Sequence, residues 1–188
     1  MISRELSPII MEMAGKMPII SITGPRQSGK TTLAKMCFPE YDYVNLESPE
    51  TRLLASEDPK VFLKQHKKGL IIDEIQRLPE LFSYLQVLSD ESGKPGEYVL
   101  TGSQNFLMKK NISQSLAGRV FISHLLPFSI AELSAENLLP SNVNETIFRR
   151  FYPRLYDKEI APLMFYPSYN ETYLERDIGG LVNSHNLD

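Results

Sequence analysis

Short apolar runs alternate with polar, helix-prone stretches through most of this chain. Five of the runs are rich in β-branched or aromatic residues and are bounded by turn residues, so they predict β-strands. The predicted strands are Pro18–Thr23, Tyr41–Leu46, Gly69–Glu74, Glu97–Thr101 and Arg119–His124. Because helical segments separate them, the pattern predicts an α/β fold with a mainly parallel sheet.

Helical spacing and helix-boundary residues place helices before and between these strands. The predicted helical segments are residues 4–15, the stretch from Lys30 to Phe38, Ser48–His66 with starts at Pro49 and Pro59, Leu81–Ser92, and residues 105–117. Past residue 139 the chain becomes rich in Tyr, Phe, Arg and Pro and shows no complete second core. We therefore predict a first domain over residues 1–139 and a short, mostly helical segment over residues 140–188.

Composition narrows the class of protein. The 188 residues suffice for one buried core, and a net charge of −3 gives no global basic field for nucleic acid. Cys37 is the only cysteine, so no intramolecular disulfide can form. No stretch approaches the ~20 apolar residues of a membrane span, and the N-terminus lacks a signal-peptide pattern. We predict a cytoplasmic protein without a membrane partner.

The loop after the first strand carries the most specific motif in the chain. Gly24–Thr31 fits G-x-x-x-x-G-K-[ST], a phosphate-binding loop between a strand and a helix. Its backbone N–H groups and the following helix suit phosphate oxygens, with Lys30 reaching the β- and γ-phosphates and Thr31 holding Mg²⁺. The predicted nucleotide-binding residues are Gly24, Pro25, Arg26, Gln27, Ser28, Gly29, Lys30, Thr31 and Thr32. The competing interpretation is a glycine-rich turn before a basic helix start.

Two acidic residues end the third predicted strand. Asp73 is placed to bind Mg²⁺ beside Thr31, since this ion prefers one or two carboxylates together with phosphates and water. Glu74 follows directly and is the candidate general base that polarises water. In a kinase the carboxylate would instead activate a substrate hydroxyl. Acidic residues at strand ends are common, so this interpretation depends on the phosphate loop.

Two further predictions concern residues that flank the fourth and fifth predicted strands. Ser103 and Gln104 follow the fourth predicted strand, where they either contact the γ-phosphate or cap the next helix. We favour Ser103 as the sensing residue. Arg119 precedes the fifth strand and is either an arginine finger supplied to a neighbouring subunit or one partner of a structural salt bridge.

The order of these parts resembles an AAA+-type P-loop ATPase of bacteria and archaea. The resemblance rests on GPRQSGKTTL, LIIDEIQRLPEL, YVLTGSQNFLM, SLAGRV, LLPFSIAEL and ETYLERDI. It implies a three-layer P-loop NTPase fold with a five-stranded sheet of order 5-1-4-3-2, and ATP with Mg²⁺ as cofactors. It also implies catalytic roles for Lys30, Glu74, Ser103 and Arg119, with Thr31 and Asp73 at the metal. Relatives of this kind continue into a C-terminal domain, so residues 140–188 are predicted to begin a truncated second domain.

These observations predict a Mg²⁺-dependent ATP-binding domain that hydrolyses ATP to drive or regulate an attached C-terminal module. A homo-oligomer is predicted to supply Arg119 in trans, and the module is predicted to engage a protein or nucleic-acid partner. One alternative is a nucleotide-dependent interaction module with little turnover. A small-molecule kinase is a further alternative, although the chain has no evident arginine-rich acceptor lid.

Overall fold

The computed structural model describes residues 2–103, 112, 115–158 and 160–173. They form two compact units. The sheet unit comprises residues 3–25 and 29–126, and the helical unit comprises residues 2 and 26–28 with the described residues from 127 onward. The domain boundary predicted after residue 139 stays a sequence-based prediction.

The sheet unit is built on five strands. They are β1 Ile19–Gly24, β2 Asp42–Asn45, β3 Leu70–Asp73, β4 Tyr98–Ser103 and β5 Val120–His124. All neighbours pair in parallel, in the order β2-β3-β4-β1-β5. This is the predicted order 5-1-4-3-2 taken from the opposite edge, so the predicted fold class is confirmed. Strand β4 extends to Ser103, two residues beyond its predicted end.

The helices of this unit begin where the sequence supplies caps. They are α1 Ser7–Ala14, α2 Lys30–Cys37, α3 Pro49–Glu57, α4 Pro59–Lys64 and α5 Leu81–Ser92, with a 3-10 helix at Ile75–Arg77. Ser48 and Asp58 each accept a backbone hydrogen bond at a helix start, with proline in the first turn. The two predicted starts in the 48–66 stretch are thus confirmed. The predicted helix at 105–117 lies largely outside the described residues.

Alternate residues of the strands pack on opposite faces of the sheet. In β3, Leu70 and Ile72 join α3, α4 and α5 on one face, while Ile71 joins α1 and α2 on the other. The three side chains are at most 1% exposed. Each such burial stabilises the fold by about 1.5–3 kcal/mol relative to exposure. The sheet is therefore the middle of three layers, which is why β3 is a continuous apolar run.

The helical unit contains four described helices and an aromatic cluster. The helices are α6 Ile130–Ala135, α7 Val143–Arg149, α8 Pro153–Asp157 and α9 Pro162–Tyr173. Leu155, Phe165 and Tyr169 form its buried cluster, against which several tyrosines pack. Across the described residues, no helix combines the length and apolar character needed to cross a membrane.

Candidate nucleotide-binding site

The carboxyl ends of β3, β4 and β1 lie side by side, since β4 pairs with both of the others. The phosphate loop leaves β1, while β3 ends at Asp73 and β4 at Ser103. Open parallel sheets bind ligands just beyond the carboxyl ends of their strands. Sheet order therefore brings residues 24, 73 and 103 to a single edge.

The backbone of the phosphate loop contains three positive φ angles. They are 150° at Gly24, 61° at Gln27 and 93° at Gly29. A Cβ atom added at Gly24 would lie 2.1 Å from the carbonyl oxygen of Leu125, so only glycine fits there. Gly29 is the N-cap of α2, and the loop passes directly into the helix. The N-terminus of α2, the end of a helix that suits an anion, therefore begins directly after Gly29.

Lys30 is the first residue of α2 and directs its ammonium group back toward the start of the loop. Its Nζ atom donates to the carbonyl oxygens of Gly24 at 3.1 Å and Pro25 at 2.8 Å. The residue is only 7% exposed. A buried ammonium group needs such acceptors because an unpaired buried charge is costly. The positive charge is thus held at the phosphate loop.

Asp73 lies at the centre of a cluster of hydroxyl groups, which we call the Asp73 cluster. Its Oδ2 atom accepts hydrogen bonds from Thr31 Oγ1 at 2.9 Å and from Tyr43 Oη at 2.8 Å. Its Oδ1 atom accepts a hydrogen bond from Thr101 Oγ1. Asp73 is 6% exposed. Three donors therefore stabilise the carboxylate, and the first connects β3 directly to the phosphate loop.

Tyr43 was not predicted as a site residue, although it lies on the neighbouring strand β2. Burial raises the pKa of its phenol, and the hydrogen bond to Asp73 and nearby carboxylates raise this pKa further. Lys35 Nζ lies 3.4 Å from the centroid of the Tyr43 ring, within cation–π range. Tyr43 therefore stays protonated and donates to Asp73. Its place in the alternating strand 41–46 was visible in the sequence, but the register against β3 was not.

Glu74 and Ser103 are joined through a residue that also received no predicted role. Gln76 Nε2 donates to Glu74 Oε2 and, at 3.2 Å, to Ser103 Oγ. Glu74 has a φ of 56° in the left-handed region, and Ser103 is 4% exposed. The structure thus brings the predicted base and the predicted sensing residue to one hydrogen-bond network. Gln76 occurs in the motif LIIDEIQRLPEL, which was the available signal.

Arg119 forms an ion pair within its own chain. Its Nε and Nη2 atoms donate to Asp90 Oδ1 at 2.6 Å and Oδ2 at 2.8 Å. This bidentate contact lowers the pKa of the Asp90 carboxyl and raises that of the Arg119 guanidinium. The geometry matches the salt bridge considered as the competing role. A finger role in a neighbouring subunit stays a prediction and requires this pair to open.

The structure says less about the remaining residues that were predicted to bind nucleotide or to sense it. Thr31 and Thr32 lie in the first turn of α2. Residues 26–28 of the loop, Arg26, Gln27 and Ser28, belong to the helical unit. Gln104 lies outside the described residues. Thr101, which sequence reasoning passed over, ends the predicted strand EYVLT, and its hydroxyl in an otherwise apolar segment was the available signal.

Comparison with known proteins shows the family of the chain and its fold. The AAA domain family matches residues 16–134. The uncharacterized protein Rv2008c of Mycobacterium tuberculosis is 32% identical over 171 residues, which cover 88% of this chain and 37% of that protein. The chain therefore spans little more than a third of the length of this relative.

Two solved structures share the fold at low sequence identity. The Walker-type ATPase PABY2304 of Pyrococcus abyssi superposes with a TM-score of 0.61 at 14% identity, covering 98% of this chain and 76% of that one. AMPPCP-bound DnaA from Aquifex aeolicus gives a TM-score of 0.56 at 14% identity, covering 92% and 62% of the two chains. Both likenesses support the P-loop NTPase fold.

Proposed function

Because the chain belongs to the AAA domain family, we propose that it binds ATP with Mg²⁺ and hydrolyses it to drive or regulate an attached C-terminal module. The observation that carries the proposal is the hydrogen bond from Thr31 Oγ1 to Asp73 Oδ2 at 2.9 Å. It joins the phosphate loop to the acidic end of β3, the two places from which a nucleotide-bound metal ion takes protein ligands.

The donor set around Asp73 fits Mg²⁺. This ion prefers oxygen ligands, commonly one or two carboxylates together with phosphates and water. Thr31 and Asp73 offer a hydroxyl and a carboxylate that already lie within hydrogen-bond distance of each other. When bound there with ATP, Mg²⁺ would neutralise negative charge on the β- and γ-phosphate oxygens. Tyr43 and Thr101 would orient the carboxylate from the protein side.

The chain's own residues have separate roles in this proposal. Lys30 exchanges its carbonyl acceptors for phosphate oxygens and holds the nucleotide. Glu74 accepts a proton from water as the water oxygen bonds to the γ-phosphorus and the bond to the β-phosphate oxygen breaks. Ser103 contacts the γ-phosphate and so distinguishes ATP from ADP.

The attached module is the broadest part of the proposal. The chain covers only 37% of the length of the mycobacterial relative, so that protein has further sequence on which an ATPase could act. Such a module would bind a protein or a nucleic acid, and the residues that recognise this partner would lie outside the sheet unit. We propose that nucleotide state is transmitted from the Asp73 edge to that module.

Nucleotide binding and phosphate release test the proposal separately. Titration with a fluorescent ATP analogue and Mg²⁺ is expected to show binding that Lys30→Ala weakens about 10- to 100-fold, since a charge-assisted contact is lost. Glu74→Gln is expected to retain binding but to slow phosphate release about 100- to 10,000-fold. Lys16→Ala is the matched control, because Lys16 is an exposed lysine paired with Glu12.

The possible results separate the three functions. Binding that does not respond to Lys30→Ala would reject the nucleotide site. Normal binding without phosphate release from the wild type would favour the interaction module. Transfer of phosphate to a metabolite instead of water would favour the kinase.

Arg119 has its own test, since two substitutions break the same ion pair. Arg119→Gln removes the guanidinium group, whereas Asp90→Asn releases it and leaves it available to a neighbouring subunit. If Arg119 acts in trans, Arg119→Gln lowers phosphate release and Asp90→Asn does not. Equal loss of phosphate release in both variants would assign Arg119 to the salt bridge alone.

A further inference from the structure

Gln76 connects two side chains to which the proposed hydrolysis gives different tasks. Its Nε2 atom donates one hydrogen bond to Glu74 Oε2 and another to Ser103 Oγ at 3.2 Å. Glu74 follows β3, whereas Ser103 ends β4. A single amide group therefore links the proposed base to the proposed γ-phosphate sensor.

The backbone around Gln76 is fixed by its neighbours. Glu74 adopts a φ of 56°, a conformation that side-chain-bearing residues rarely use and that clusters at functional sites. The 3-10 helix that follows is closed by a hydrogen bond from the Arg77 N–H to the Glu74 carbonyl oxygen at 2.9 Å. Ile75 is fully buried in the core beneath this turn. The turn therefore has little freedom to move, and it returns Gln76 toward Glu74.

The orientation of the Gln76 amide follows from its partners. The reversed orientation would place Oε1 against the Glu74 carboxylate, where two acceptors would face each other. With Nε2 on Glu74, the Oε1 atom is buried and has no hydrogen-bond partner within the part of the chain that the structure describes. Buried polar atoms are generally paired, so the exception at Gln76 Oε1 means that the contacts of Nε2 determine how this amide is oriented.

We propose that Gln76 is a positioning residue of the proposed ATP hydrolysis. Its Nε2 atom holds the Glu74 carboxylate at the Ser103 side of the site and so keeps that carboxylate in place to deprotonate the attacking water. The proposal rests on the proposed function, because without hydrolysis there is no attacking water to deprotonate. The proton passes from water to Glu74, and Gln76 keeps its own protons throughout.

A kinetic comparison tests this role. Gln76→Met keeps the length of the side chain and removes both hydrogen-bonding atoms. Its turnover number is expected to fall about 100-fold, the loss typical of a misplaced catalytic group, while KM for ATP stays unchanged. Gln76→Asn retains the amide on a shorter side chain. Its turnover number is expected to lie between those of Gln76→Met and the wild type. Gln86→Met, on α5, is the matched control and should keep wild-type turnover.

A second readout separates positioning from general support of the fold. Because one amide serves both partners, the loss of turnover in the double variant Gln76→Met with Ser103→Ala should be smaller than the product of the two single losses. In NMR spectra, the side-chain amide signals that disappear in Gln76→Met should shift in Ser103→Ala and in Glu74→Gln. Two results would overturn the proposal: single losses of turnover that multiply in the double variant, and Gln76 amide signals that do not shift in Ser103→Ala or in Glu74→Gln.

The proposed function and the positioning role fail in different ways. Wild-type turnover in folded Gln76→Met, with the Glu74→Gln variant inactive, would overturn the positioning role and leave the ATPase in place. Absence of phosphate release from the wild type would overturn the ATPase and the positioning role together. A fall in ATP and ADP affinity with unchanged turnover would assign Gln76 to nucleotide binding and overturn the proposal.

Discussion

The Asp73 cluster and the Arg119–Asp90 pair show two ways in which one sheet unit holds charge. Asp73 is 6% exposed and accepts hydrogen bonds from three neutral hydroxyl groups. The side chains of Arg119 and Asp90 are 30% and 54% exposed and hold each other by opposite charge. In the first arrangement fixed hydroxyl dipoles stabilise a buried anion, and in the second two partly exposed ions pair at the surface.

The difference in burial determines how much each arrangement contributes to the free energy of unfolding. Loss of a fully buried donor such as Thr101 leaves a carboxylate oxygen that water cannot reach, which costs more than the bond itself contributed. An exposed ion pair exchanges partners for water and salt at little cost. The Asp73 edge should therefore resist change, whereas Arg119 can leave Asp90 for another anion.

Gly24→Ala should cause the largest loss of stability. The new Cβ atom would lie 2.1 Å from the Leu125 carbonyl oxygen, at a φ of 150° that alanine disfavours. Strain and overpacking together are expected to lower the free energy of unfolding by at least about 3 kcal/mol. Urea denaturation followed by circular dichroism measures the loss.

Gly93→Ala is the matched control for Gly24→Ala. Gly93 also has a positive φ, 59°, but nothing lies within 4 Å of an added Cβ atom. Only the backbone conformation opposes alanine there, so the expected loss is about 1 kcal/mol. Equal losses in the two variants would mean that crowding at the phosphate loop contributes nothing.

Thr101→Val should cause the next largest loss. Valine keeps the shape of this fully buried side chain but removes the hydroxyl that donates to Asp73. Because the acceptor is a buried carboxylate, we expect the free energy of unfolding to fall by about 1.5–3 kcal/mol. Thr172→Val, at an exposed hydroxyl bonded within its own helix, should change it by less than about 0.5 kcal/mol. A loss at Thr101 no greater than at Thr172 would show that Asp73 does not need this donor.

Tyr43→Phe should have a smaller effect on stability, since Tyr43 is partly exposed and water can replace its hydroxyl. The expected loss is about 1 kcal/mol. The raised pKa of Tyr43 gives a second measurement. In an ultraviolet titration above pH 10, one tyrosine that ionises later than a solvent-exposed tyrosine should therefore disappear in Tyr43→Phe.

The sequence predicted the sheet because its signals are local. The apolar run at Leu70–Asp73, the glycine-rich loop at 24–31 and the proline helix starts each follow from the steric and burial preferences of a few residues. Parallel connections then leave few possible strand orders, and the family resemblance selected the observed one. The fold and the positions of Lys30, Thr31, Asp73, Glu74 and Ser103 at one edge could therefore be predicted.

The partners of these residues could not be predicted, because they depend on register and on distances between distant segments. Tyr43 meets Asp73 only when β2 and β3 pair as Tyr43 with Ile71 and Asn45 with Asp73. Gln76 reaches Ser103 only because the 3-10 turn folds back toward β4. Asp90, at the end of α5, carries no pattern that selects Arg119 as its partner. Composition and spacing leave such pairings undetermined.

The Arg119–Asp90 pair should have the smallest effect on stability, and that effect should depend on pH. Arg119 lowers the pKa of Asp90 from its usual 3.8, so the ionised carboxylate is favoured in the folded state. The pair's contribution is therefore present above the unfolded-state pKa and is lost as pH falls through the lower folded-state pKa.

Asp90→Asn removes this linkage without changing the size of the side chain. In urea denaturation near pH 7 it should lower the free energy of unfolding by less than Tyr43→Phe does, and added salt should reduce the difference. Once the pH is below the lowered folded-state pKa of Asp90, the wild type and Asp90→Asn should converge, because protonated Asp90 no longer pairs with Arg119. A difference that persists at low pH and in high salt would mean that the pair is held as firmly as the Asp73 cluster. Arg119 would then lack the freedom to leave Asp90 that a role in a neighbouring subunit requires.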